Sequence, residues 1–268
     1  MIARLEIQAA VRENYTYLKH CYFSTPLKVA NITEDKRKGR LHLMLMSSSP
    51  GILDGDQYQL KIEVGQNGAL ELHTQSYQRL FNMKQSASQK LEVHLAPGSS
   101  FCFLPHPSVP HTGSSFSSIN KFFLTQNNSF VFGEIVTCGR KLNGEVFRFS
   151  KYHAITEIFM GSKLVIKENL FIEPSTIQLD LIGQLEGFTH QASLIYLNPL
   201  ADISELIGLV TILLTEQEEI LFGITNAPVQ GLVIRILGNH AEQLHHCLKS
   251  ITDTLPQHTN TKINAHAV

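Results

Sequence analysis

Through residues 1–200, apolar and polar residues alternate with a period of two. Leu41, Leu43 and Leu45 share one face of a segment, and Ile62 and Val64 do so around Lys61 and Glu63. Leu91, Val93 and Leu95 repeat the pattern with Glu92 and His94 turned outward. Such alternation predicts half-buried strands, one face in a core and one in solvent. Turn residues punctuate it at Gly65-Gln66-Asn67-Gly68, Pro97-Gly98-Ser99 and Gln126-Asn127-Asn128-Ser129. Each turn joins two apolar runs, Leu60–Val64 to Ala69–Leu72, Leu91–Leu95 to Phe101–Leu104, and Phe122–Leu124 to Phe130–Phe132. The three hairpin-like units recur at about 30-residue spacing, a period that marks stacked supersecondary units. A weaker fourth unit would run through Lys163–Ile166 and Leu170–Ile172 about a turn at Glu168-Asn169. The pattern predicts a mainly β protein, a layered, β-helix-like stack of antiparallel strands, and a generic sandwich would also satisfy it.

After Pro199 the period changes. Asp202-Ile203-Ser204-Glu205 opens an apolar helical segment reaching Leu214, and two strand-like pieces follow at Ile220–Ile224 and Gly231–Leu237. Ala241, Leu244, Cys247, Leu248, Ile251 and Leu255 then recur at three-and-four spacing, an amphipathic helix ended near Pro256. The division expected is a β-layered body over 1–200, a helix–strand–strand–helix part over 201–256, and a flexible polar tail over 257–268.

Composition narrows the function classes. The 268 residues carry a formal net charge of −1, with 43% hydrophobic and 17% charged residues, which fits a globular chain able to bury a full core. Nucleic-acid binding is not expected, because no basic excess is present. The longest apolar stretch, Leu206–Leu214, is far short of the ~20 residues of a membrane helix, and Met1–Ile7 lacks the apolar core of a signal peptide. A cytoplasmic protein without a membrane partner is expected. The 4 cysteines, Cys21, Cys102, Cys138 and Cys247, form no C-x-x-C pair and read as buried free thiols.

Recognised catalytic signatures are missing. The chain has no G-x-x-x-x-G-K-[ST] loop, no dinucleotide fingerprint, no G-x-S-x-G elbow and no H-E-x-x-H helix. The 13 histidines look scattered: His42, His73 and His94 fall in separate strand-like segments, and His106 and His111 in a proline-rich loop. No permanent metal site is expected from them. Three carboxylates stand out instead. Asp56 ends a glycine-rich loop, Glu134 interrupts the apolar run Phe130–Val136, and Glu168 lies between Val165-Ile166 and Leu170–Ile172. Burying a lone carboxylate is expensive, so each must be at a turn, paired, or against a wet cavity. Arg140, at the Gly139-Arg140 bend, is a candidate ion-pair partner for Glu134.

Taken together, Ser49-Pro50-Gly51…Gly55-Asp56, Thr74-Gln75, Phe103-Leu104-Pro105-His106-Pro107 and Gly133-Glu134-Ile135-Val136-Thr137-Cys138-Gly139-Arg140…Gly144-Glu145-Val146-Phe147 resemble the urease accessory protein UreD (UreH) family over essentially the whole chain. One departure is Ile52, where members commonly carry a second glycine. The resemblance implies a single UreD-type domain over 1–268 and a non-enzymatic chaperone of apo-urease. It further implies binding to UreF, recruitment of the GTPase UreG through UreF, and delivery of nickel to the urease active site. A water-filled nickel passage has been proposed in the family, and Asp56, Glu134 and Glu168 are the matching acidic positions here. Ni²⁺ would then be transient cargo, with no cofactor bound permanently. The competing reading is a cupin- or lectin-like β-protein binding a small molecule or metal, although the His-x-His pair of a metal cupin is absent. Part of a partner surface is expected on the C-terminal helices, because Ile203–Leu214 is more apolar than an appendage needs.

Overall fold

The computed structural model describes residues 1–256, the side chain of Lys36 apart. The expected flexible tail, 257–268, lies outside the described residues. Strands run in order β1 (Ile2–Arg12), β2 (Tyr15–Phe23), β3 (Leu27–Asn31), β4 (Leu41–Ser47), β5 (Gln57–Val64), β6 (Ala69–Thr74), β7 (Gln78–Leu80) and β8 (Ala87–Leu95). Next come β9 (Ser100–Leu104), β10 (Ser108–Pro110), β11 (Ser115–Leu124), β12 (Ser129–Val136), β13 (Lys151–Met160), β14 (Lys163–Ile172) and β15 (His190–Leu197). The remaining elements are α1 (Ile203–Thr215), β16 (Leu221–Asn226), β17 (Gly231–Gly238) and α2 (Ala241–Thr254).

These strands form two facing sheets, one of seven strands ordered β14-β13-β11-β8-β5-β1-β2, and one of ten whose main path is β16-β17-β15-β12-β9-β6-β4-β3. The layered, coil-like, mainly β expectation holds, with one correction. The turns after β5, β8 and β11 do not close hairpins; each carries the chain from the first sheet across to the second. Strands β1, β5, β8, β11 and β13 therefore pair in parallel, as do β4, β6, β9 and β12. Antiparallel pairing is confined to the ends, at β1–β2, β3–β4, β13–β14 and the run β12–β15–β17–β16. Alternation cannot tell a hairpin from a crossing, because both bury every second residue. Side-chain register favours crossing: successive coils set Leu60 beside Leu91, Ile62 beside Val93, Leu70 beside Phe101, and Phe101 beside Phe130. The turns stack too, and the Asn128 amide donates to the carbonyls of Ala96 at 2.8 Å and Ser99 at 3.1 Å one coil below.

The expected fourth unit is also corrected. Glu168-Asn169 is no turn but the middle of the unbroken strand β14, held by β13 along its length. The C-terminal elements follow the expected helix–strand–strand–helix order, and β17 joins the second sheet through β15. Asp202 caps α1, its carboxylate accepting the backbone N–H groups of Ser204 and Glu205. Both helices cover the outer face of the second sheet, where Leu206, Val210, Leu214, Leu244, Leu248 and Ile251 meet Val131, Leu194 and Ile234. Among the described residues no helix is long and apolar enough to cross a membrane.

Candidate functional site

Between the sheets the apolar rungs give way to a polar layer. Along the first sheet, Leu91 is followed by its register neighbours Asn120, Thr156 and Glu168 on successive strands. The adjoining rung sets Gln89 beside Ser118. Along the second sheet, Glu134 pairs with Ser193 and Ser193 with Arg235. Side chains alternate on a strand, so all these groups share the inner face with the core residues flanking them. Burial is deep: Ser118, Asn120 and Thr156 are each 3% exposed.

Glu134 sits at the middle of this layer. Its Oε1 accepts the Tyr152 hydroxyl at 3.1 Å, a bond that spans the two sheets. Burial pushes the Glu134 carboxyl up to about 7; the Tyr152 bond opposes the rise and the charge of Glu168 adds to it. Protein surrounds the carboxyl on all sides, yet the residue keeps some accessible surface, and that surface faces an internal cavity. The cavity measures about 80 Å³ and is lined by Glu134, Tyr152, Ser118, Asn120, Gln89, Gln78, Thr74 and His106 among aromatic walls. Ser118 Oγ is buried without a hydrogen-bond partner among the described residues. A second cavity of about 120 Å³ shares Thr74, Ser76, Gln78 and Gln89 with the first and reaches the Ser49-Pro50-Gly51 loop. At the other end of the layer, Glu168 and Arg235 line a broad cleft of about 600 Å³.

Arg140 does not pair with Glu134. β12 ends at Val136, and the bend after it carries Arg140 to the surface, where its Nε lies 2.9 Å from Glu145 Oε2. That guanidinium holds the Glu145 carboxyl down at about 2. Glu168 pairs with Arg235, whose Nη2 donates to its Oε2, and so the carboxylate enters the layer already partly neutralised. Asp56 lies beside this line and lines none of the three spaces. It is 4% exposed, its Oδ2 accepts the Leu53 N–H at 2.9 Å, and its Oδ1 lies 3.2 Å from the Met1 amino nitrogen. It braces the loop that walls the second cavity. Ile52 fits that loop without a second glycine: it is 3% exposed, bridges to Leu80, and its N–H donates to the Arg79 carbonyl at 2.8 Å.

Sequence reasoning missed Tyr152, Asn120, Thr156, Ser193 and Arg235. A signal existed for Asn120, because superposing the three turns sets it level with Leu60 and Leu91 as a polar residue in an inward apolar row. It also set aside His42 and His73 as scattered, yet both reach Glu71. His94 does stand apart, paired with Glu92.

The model of the UreD urease accessory protein family matches residues 1–265. The chain belongs to the UreD family. Curated relatives of the chain carry the name urease accessory protein UreD. That of Flavobacterium johnsoniae is 46% identical, over 94% of this chain and 91% of the relative. Acetivibrio thermocellus UreD is 36% identical over 94% and 97% of the two chains, and Actinobacillus pleuropneumoniae UreD 32% over 91% and 93%. UreD membership gives the chain a role in urease maturation and sets aside the cupin- or lectin-like alternative.

Proposed function

We propose that the chain is a non-enzymatic maturation chaperone working in the cytoplasm, which binds apo-urease and, with UreF and the GTPase UreG, passes Ni²⁺ toward the urease active site through its polar layer. The observation that carries this reading is Glu134, a carboxylate at the midpoint of a polar layer with cavities on one side and the Glu168 cleft on the other. An ion in transit needs oxygen or nitrogen ligands that release it, and single carboxylates with water do so where a closed cage would trap it. Glu134 and Glu168 take this part. Asp56 acts on the passage at one remove, by bracing the Pro50-Gly51 loop at its mouth.

The partner surface is assigned to the outer side of α1. Leu206, Val210 and Leu214 point into the core, but Leu209 is 45% and Ile212 61% exposed on the opposite side. Exposed large apolar side chains one turn apart on a helix form a patch that a partner can cover. The deciding experiment is Glu134→Gln in a reconstituted urease activation assay. The variant should assemble with UreF and apo-urease as the wild type does, while nickel content of the urease falls. Undiminished nickel loading would refute the passage, and lost assembly would make Glu134 a structural residue.

A further inference from the structure

Three side chains with metal-ligating atoms meet on the outer face of the second sheet, away from the polar layer. His42 in β4 and Glu71 in β6 are register partners on neighbouring parallel strands, and His73 follows Glu71 on the same side of β6. Outward residues of paired strands stand side by side, so the three groups converge. Glu71 offers one oxygen to each ring: Oε2 lies 3.7 Å from His42 Nδ1, and Oε1 lies 3.3 Å from His73 Nε2. The two imidazoles are stacked, with centroids 5.9 Å apart and planes within 9°. One ligand atom from each residue falls within 4.8 Å of the other two, and small side-chain rotations bring such atoms onto one ion at bonds of about 2.0–2.2 Å.

The surroundings suit an open site. Side-chain exposure is 30% for His42, 21% for Glu71 and 35% for His73, which leaves one side to water. Arg40 Nη1 lies 3.3 Å from Glu71 Oε2 and competes for that oxygen. Cys102, the register partner of Glu71 on β9, is buried among the residues packed under the helices and stays outside the set. His106, which lines the interior cavity, is within electrostatic reach of His73.

We propose that His42, Glu71 and His73 form a binding site for a borderline divalent transition ion of the Ni²⁺ or Zn²⁺ kind, with water completing the coordination. Two imidazoles and one carboxylate select such ions, whereas Mg²⁺ and Ca²⁺ prefer oxygen-only sets. The site shares no residue with Glu134 or Glu168. It stands on its own geometry, so it can hold while the passage reading fails, or fail while that reading holds.

The test is titration of the full chain with NiCl₂ against a chromophoric chelator, with MgCl₂ as the hard-ion control. Relative to the wild type, the double variant His42→Gln/His73→Gln should lose one equivalent of bound Ni²⁺ or bind it about tenfold more weakly or worse. Arg40→Gln frees the Glu71 oxygen and should tighten Ni²⁺ binding, which a purely structural cluster would not do. His94→Gln should leave binding unchanged. Unaltered stoichiometry and affinity in the double variant, or equal competition by Mg²⁺, would overturn the proposal. If the double variant does not fold, Arg40→Gln decides alone, and unchanged or weaker binding overturns it.

Discussion

The Tyr152 hydroxyl and Glu134 Oε1, 3.1 Å apart, join the two sheets at the centre of the molecule. Tyr152 is fully enclosed, and burial together with the Glu134 charge raises its own ionisation far above the ordinary phenol value. The tyrosine is therefore a fixed donor, and the carboxylate is the group that titrates.

Stability should fall as pH rises toward the titration of folded Glu134. The folded carboxyl titrates at about 7, against about 4.3 in an unfolded chain. Below both values the group is protonated in either state and costs nothing. Between them the unfolded chain releases its proton and the folded one keeps it, so stability drops as pH rises and levels off above 7. The loss is on the order of 3 kcal/mol. Glu134→Gln should remove this slope, and urea denaturation of both proteins at pH 5 and pH 8 checks it. Parallel wild-type and variant curves would mean the carboxylate is solvated.

Neighbours of Glu134 should move its titration in opposite directions. Tyr152→Phe removes a bond that favours the ionised form and should raise the apparent pKa, whereas Glu168→Gln removes a like charge and should lower it. Carbon-detected NMR of labelled glutamate reads both. Shifts of the same sign would contradict the geometry.

The Pro50-Gly51 loop should tolerate no side chain at its glycine. A Cβ on Gly51 would lie 2.3 Å from the Arg79 carbonyl oxygen, which is backbone and cannot step aside. Gly51→Ala should cost about 1–3 kcal/mol, measured by thermal or urea unfolding. A neutral result would mean that the loop does not pack on β7 as described.

The exposed side of α1 predicts a clean separation of folding from assembly. Leu209→Asp with Ile212→Asp should leave thermal stability nearly unchanged, within about 0.5 kcal/mol per site, because neither side chain is in the core. Co-purification with UreF should be lost. Removing the last helix is a poorer probe, since Leu244, Cys247, Leu248 and Ile251 are at most 1% exposed and the fold would fail first. Retained co-purification would move the partner surface elsewhere.

Core truncation sets the scale for these effects. Phe122, 0% exposed, packs against Phe130 and Phe132 at centroid distances of 4.7 and 4.8 Å across the sheets. Phe122→Ala should cost about 3–5 kcal/mol by urea denaturation.

Which residues face inward, where the chain turns after β5, β8 and β11, and where both helices begin and end were all legible in the sequence, whereas the turn expected at Glu168-Asn169 was not there. Those properties are local: a period of two or of three and four, a glycine or asparagine at a turn, an Asp at a helix start. It also marked Glu134 and Glu168 as carboxylates that must be accounted for. That the turns cross between sheets emerges only from long-range pairing, because a hairpin and a crossing have the same alternation and differ in which distant strand supplies the hydrogen bonds. The same long-range pairing chose the partners of the charges. Register set Glu168 opposite Thr156 and turned Arg235 toward it from 67 residues away. It also brought His42 alongside Glu71 from the neighbouring coil. No spacing along the chain encodes such neighbours, because they are fixed by how successive coils stack.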